Sequence, residues 1–131
     1  MGLGRLVAPP RDYLAQIEAM LRDPGFHNVY VDISWDEVAK YFVANPEATR
    51  LLAETMQRYP DRFLFGSDSA APVDQSKYLK VFYQYEPLWN ALDAETSRKV
   101  RLGNYERIFD EARRKVRSWE SVHVAELHAC P

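Results

Sequence analysis

Apolar residues recur at helical spacing over Tyr13, Leu14, Ile17, Met20 and Leu21, between a Pro9-Pro10 pair and an Asp23-Pro24-Gly25 stop, and predict a first helix. The pattern then changes period. Asn28 to Ser34 alternates, with Val29, Val31 and Ile33 on one side and Tyr30, Asp32 and Ser34 on the other, which predicts a strand. Ser34 stands three residues before Glu37, the spacing of a reciprocal helix cap, so the strand is expected to run straight into a helix with the stripe Trp35, Val38, Ala39, Phe42 and Val43. Asn45-Pro46 marks the start of the next helix, striped by Leu51, Leu52, Thr55, Met56 and Tyr59. Arg62-Phe-Leu-Phe-Gly66 follows a Tyr-Pro-Asp break and reads as a short buried strand. Tyr78, Val81, Phe82, Tyr85 and Trp89 form an aromatic stripe interrupted by Pro87, and a shorter helix is expected from Asp93. Asn104 is expected to cap a last helix with Tyr105, Ile108, Phe109, Ala112, Val116 and Trp119 on one face. Asp110 with Arg114 and Glu111 with Lys115 lie on its other face. Ser121 to Pro131 carries no pattern and is expected as an unstructured tail.

The order helix, strand, helices, strand, helices predicts an α/β chain of predominantly helical content. Two strands joined by helix pair in parallel through a right-handed crossover. Sheets usually have about five strands, so a two-stranded sheet implies partners.

With 131 residues the chain fits one modest domain, and 47% hydrophobic against 27% charged residues is a folding composition. Lys and Arg (17) nearly balance Asp and Glu (19), which argues against nucleic acid and anionic membranes as partners. The single cysteine, Cys130, forms no internal disulfide, and no apolar run approaches the roughly 20 residues of a membrane span. The N-terminal MGLGRLVAPPR lacks the apolar region of a signal peptide, so the cytoplasm is the expected compartment.

The chemistry-bearing stretch is RFLFGSDSAAP, Arg62 to Pro72, which runs an apolar segment into a small-residue turn holding Asp68. In parallel α/β folds the loops at the carboxyl ends of the strands carry the chemistry, and Asp68 is predicted to lie there. Two roles fit its local sequence: a metal-binding carboxylate that takes a proton from a metal-held water, or a cap for the following turn. Trp35 and Asp36 fall past the carboxyl end of the first strand and could border a substrate pocket, with Trp35 as core the alternative. Ser67 and Ser69 leave the carboxylate reachable. Asp32 on the strand face needs a hydrogen-bond partner. His27 belongs to the opposite strand end, and His123, His128 and Cys130 match no compact metal motif. Gly66-Ser67-Asp68-Ser69-Ala70 lacks the second glycine and the nearby histidine of a nucleophile turn.

NVYVDISW, RYPDRFLFGSDSAAP and GNYERIFDEAR resemble, in order and spacing, the last quarter of the (β/α)8 barrels of the amidohydrolase superfamily, in its amidohydrolase-related (amidohydrolase 2) branch. The resemblance covers about residues 2–120 and implies a partial TIM barrel, its last two βα units, with parallel strands at about 28–34 and 62–66. It implies that Asp68 is a metal ligand and the base toward the hydrolytic water. It further implies a divalent metal, zinc foremost, and a small-molecule substrate near Ser34, Trp35 and Ser69. The implied activity is metal-dependent hydrolysis or decarboxylation. The family's His-x-His pair, its middle-strand ligands and its strand-six histidine have no counterparts here, so the resemblance implies a truncated barrel that is inactive alone. The alternative is a non-catalytic α/β fragment whose sheet edges and apolar helix stripes serve self-association, as a homo-oligomer, or partner binding.

Overall fold

The computed structural model describes residues 10–68 and 73–127. Ser69, His128 and Cys130 lie outside the described residues. The chain is mostly helical and contains a small two-stranded parallel sheet. None of its described helices is long and apolar enough to cross a membrane.

Helix α1 (Pro10–Arg22) is followed by a 3-10 turn at Pro24–Phe26, whose start is capped by the Asp23 carboxylate accepting from the Gly25 amide at 2.8 Å. Strand β1 (Val31–Asp32) leads to α2 (Asp36–Phe42) and α3 (Pro46–Arg58). Strand β2 (Phe63–Leu64) leads to α4 (Gln75–Gln84) and α5 (Glu86–Ala91). The end of the chain is one continuous helix, built of α6 (Ala94–Arg98), π turns at Lys99–Gly103 and Glu106–Asp110, and α7 (Glu111–Leu127).

β1 and β2 pair in parallel, Val31 against Phe63 and Asp32 against Leu64, as the helical crossover between them requires. The Val31 amide donates to the Arg62 carbonyl at 2.9 Å and the Ile33 amide to the Leu64 carbonyl at 3.0 Å. The strands are shorter than the expected 28–34 and 62–66. The cause is visible at both ends, where side chains take over the backbone groups that a longer ladder would use.

Ile33 and Phe63, fully buried, pack with Leu52 and Met56 of α3, Leu88 of α5 and Tyr85. That cluster is the core. α3 holds its place because Pro46 occupies its first turn, the Asn45 carbonyl oxygen of the side chain accepts from the Ala48 amide at 2.9 Å, and Ala48, Leu52 and Met56 recur every four residues on the buried side. Thr55 and Arg58 donate to Glu18 at 2.8 and 2.6 Å, tying α3 to α1. Asp93 caps α6 by accepting from the Thr96 amide at 2.8 Å, where the sequence predicts a helix start, and the aromatic stripe interrupted by Pro87 is divided between α4 and α5, with Pro87 in the first turn of α5.

Three local expectations are corrected. Ser34 does not cap α2; Trp35 is the cap residue and makes no side-chain cap bond. Ser34 instead turns back, its amide donating to Asp32 Oδ1 at 2.8 Å and its hydroxyl to the same oxygen, which draws it out of capping position. Asn104 begins no helix, because the chain is already helical there (φ −70°, ψ −37°) and its amide is used inside the protein. The segment from Ser121, expected as an unstructured tail, continues α7 to Leu127, since nothing in it breaks a helix.

Candidate functional site

The parallel pair has two ends, and the chain treats them differently. At the entry end, Asn104, only 1% exposed, donates from Nδ2 to the carbonyls of Pro60 and Phe63, both at 2.8 Å. Three residues on, Arg107 donates to the Asp61 carbonyl at 2.8 Å. Arg62 reaches the other strand, donating from Nε to the Val29 carbonyl at 2.8 Å and from Nη2 to the carbonyls of Phe26 and Val29 at 2.5 and 2.6 Å. Both guanidinium groups lie over the Tyr30 ring, at 5.8 and 5.7 Å from its centroid. His27 is at this end, exposed, with Nδ1 3.2 Å from the Pro24 carbonyl, away from Asp68 as expected.

At the exit end the backbone is strained rather than clasped. Trp35 has φ 90° and Asp68 φ 49°, and they are the two non-glycine residues with positive φ among those described. They follow β1 and β2 respectively. A bulky residue at φ 90° costs on the order of 1–3 kcal/mol, and such strain is found chiefly where a binding or catalytic group must be held. The Trp35 side chain is 50% exposed, so burial does not explain its position. Its carbonyl is held from behind by Tyr85, whose buried hydroxyl lies 2.9 Å from it and also contacts the Ile33 carbonyl.

The two exit loops touch. A Cβ on Gly66 would lie 2.8 Å from Ser34 Oγ, so any larger residue there must displace the Ser34 hydroxyl for the loop after β2 to pass this close to the loop after β1. The Ser34 hydroxyl is fixed by Asp32, and Asp32 is thereby the hydrogen-bonded carboxylate that its position on the strand calls for. Asp68 is exposed, and among the described residues no donor or cation meets its carboxylate. Asp74 caps α4, accepting from the Lys77 amide at 3.1 Å and from the Ser76 hydroxyl, while the turn that Asp68 would cap lies outside the described residues. These two bonds, the Ser76 hydroxyl first, hold the Asp74 carboxyl below its ordinary range.

Behind the exit end stands an aromatic wall. Phe65 meets Tyr85 and Trp89 edge-on, each at 4.9 Å between centroids, and Phe82 at 5.9 Å. Arg101 lies over Phe82 and Trp89 at 5.1 and 5.6 Å. Trp89 Nε1 and Gln84 Oε1 are buried there without a hydrogen-bond partner. A groove of about 640 Å³ runs elsewhere, along α3 and α5 past Asn45, Gln57 and Pro87, and does not include Ser34, Trp35 or Asp68.

Of the predicted site residues, Ser34, Trp35 and Asp68 are thus brought to the carboxyl ends of one parallel pair. His123 is elsewhere, in α7, stacked on Trp119 at 4.5 Å. Sequence reading passed over Arg62, Tyr85 and Arg107, which position the strands; the one available signal was the pairing of two arginines with Tyr30 and of Tyr85 with the aromatic stripe. Among the described residues no group of three His, Cys, Asp or Glu side chains is placed to hold a metal ion. One carboxylate falls short of the three protein ligands that a catalytic zinc requires. Comparison with protein-family profiles, curated proteins and solved structures finds no match to this chain.

Proposed function

We propose that this chain is the carboxyl-terminal part of an amidohydrolase-like (β/α)8 barrel, a metal-dependent hydrolase or decarboxylase, in which Asp68 supplies one carboxylate to a site completed by other segments. The observation that carries the reading is the parallel β1–β2 pair with an exposed carboxylate just past its second strand that meets no partner among the described residues. Barrels of this type place their reacting groups at that end, on the loops after the strands. The left-handed backbone at Asp68, the close passage of Gly66 over Ser34 and the strained Trp35 support a rim built for a ligand. The motif resemblance supplies the reaction class. Ser34, Trp35 and Ser69 border the proposed substrate position, and zinc is the proposed metal, in a cytoplasmic enzyme.

In this reading Asp68 has two duties, as a ligand and as the base toward the hydrolytic water. The geometry supports them in one respect: a carboxylate that meets no partner among the described residues has its oxygens available. Asp32 differs in that its Oδ1 is occupied by Ser34.

The test is a fusion in which a segment carrying the His-x-His pair, the middle-strand ligands and the strand-six histidine precedes this sequence. Calorimetry should find one zinc bound per chain, with affinity lowered at least about tenfold by Asp68→Asn. Equal affinity after that substitution would remove Asp68 from the metal site, and no zinc binding in the fusion would remove the barrel reading.

A further inference from the structure

Past Asp110 the last helix leaves the body of the protein: every residue from Glu111 to Trp119 is exposed. A helix of 17 residues with no position buried in that stretch is not held by packing, and isolated helices of this length are marginal in water. Its sequence is nevertheless not polar all round. Phe109, Ala112, Val116, Trp119 and His123 follow one another at steps of three, four, three and four, which lines them along one side. Phe109, Val116 and Trp119 are about half exposed, at 49, 53 and 54%. The rings already lie along this seam, Tyr105 stacked on Phe109 at 4.9 Å and Trp119 on His123 at 4.5 Å.

We propose that this seam pairs in parallel with the same seam of a second copy of the chain, as a short two-helix coiled coil. The flanking charges choose the occupant and the direction. In a parallel pair, Lys115 of each copy faces Glu120 of the other, five residues further on, so both flanks carry opposite charges. In the antiparallel pair that stacks Phe109 on Trp119 and Ala112 on Val116, Lys115 would face Lys115 and Arg113 would face Arg113. Like charges at those positions oppose that arrangement. Within one copy Lys115 bonds Glu111 at 2.7 Å and Arg117 bonds Glu120 at 2.6 Å, so the side chains are already extended along the helix. This pairing goes beyond the barrel reading and stands without it, because neither Asp68 nor the sheet takes part.

Sedimentation equilibrium of the full chain across the micromolar range tests it. A reversible dimer is expected, and Val116→Asp should raise its dissociation constant at least about tenfold. Because Val116 lies outside the core, the melt of the body followed by circular dichroism at concentrations well below the dimer's dissociation constant should be unmoved. Lys115→Glu should weaken the dimer, and adding Glu120→Lys should restore it. A chain that stays monomeric, a dimer indifferent to Val116→Asp, or a double variant no tighter than the single one would each overturn the proposal.

Discussion

The entry end and the exit end of the β1–β2 pair share the same two strands and are built on opposite principles. At the entry end three side chains, Arg62, Asn104 and Arg107, donate to the carbonyls of both strands and their approaches. At the exit end one hydroxyl, that of Tyr85, does the holding, while Trp35 and Asp68 take backbone conformations that most residues avoid. In the proposed reading, the difference is what separates a structural end from a working one. Polar groups that serve stability are spent on the backbone, whereas at the exit end a carboxylate is left facing outward.

The largest effect that this contrast predicts is at the entry end. Asn104→Ala leaves the buried Phe63 carbonyl and the part-buried Pro60 carbonyl without this donor and should cost about 3 kcal/mol, read as a lower urea midpoint with unchanged slope. A cost within the error of the midpoint would show that the clasp is ornamental and break the contrast.

At the exit end Gly66→Ala should cost about 1 kcal/mol, because the new methyl displaces the Ser34 hydroxyl from Asp32. The cost should shrink in a Ser34→Ala background, where the remaining contact is ordinary. An unchanged cost would mean that the two loops do not touch as described.

Strain at the rim can be read by reversing a usual preference. Trp35→Gly should be more stable than Trp35→Ala by about 1 kcal/mol, since glycine alone is at ease at φ 90°. The ordinary order, alanine above glycine, would show that the rim is unstrained.

The smallest effect concerns the two capping carboxylates. The Thr96 amide, with the Thr96 hydroxyl next, holds Asp93 below its ordinary range, as the Ser76 hydroxyl and the Lys77 amide do for Asp74. A carboxyl whose folded pKa is depressed contributes stability in full above its unfolded pKa and loses it as pH falls through the folded value. Asp93→Asn should therefore flatten the acid limb of the stability profile below the ordinary carboxylate range. Because Asp93 starts the helix that carries Asn104 and Arg107, the same acidification should loosen the entry end through it. An acid limb identical in the variant would contradict this.

The sequence made the helices legible where their signals are local. Asn45 with Pro46 and Asp93 with Thr96 announce caps within four residues, and both form. The parallel pairing was legible from strand, helix, strand order, although its two-residue length was not, because Arg62 and Tyr85 take up the flanking carbonyls from far along the chain. Asn104 shows the limit most plainly. An amide at a helix start and an amide inserted between two carbonyls look alike in sequence, and only the position of Phe63, 41 residues away, tells them apart. The extension of α7 past Ser121 was missed for another reason: Ser121, Val122 and Val124 are exposed, and an exposed helix gives no buried stripe to read. Of the site, the grouping of Ser34, Trp35 and Asp68 at one strand end followed from chain order alone. The contact of Gly66 with Ser34 did not, since it depends on how closely two loops pass.

Everything proposed for Asp68 depends on β1 and β2 lying side by side in parallel, and amide hydrogen exchange followed by NMR tests that most directly. The amides of Val31 and Ile33 donate across the pair and should exchange slowly, together and in step with global unfolding, while that of Asp68 exchanges fast. Rapid exchange at both Val31 and Ile33 would mean that the pair does not form and that the carboxylate stands at the end of no sheet.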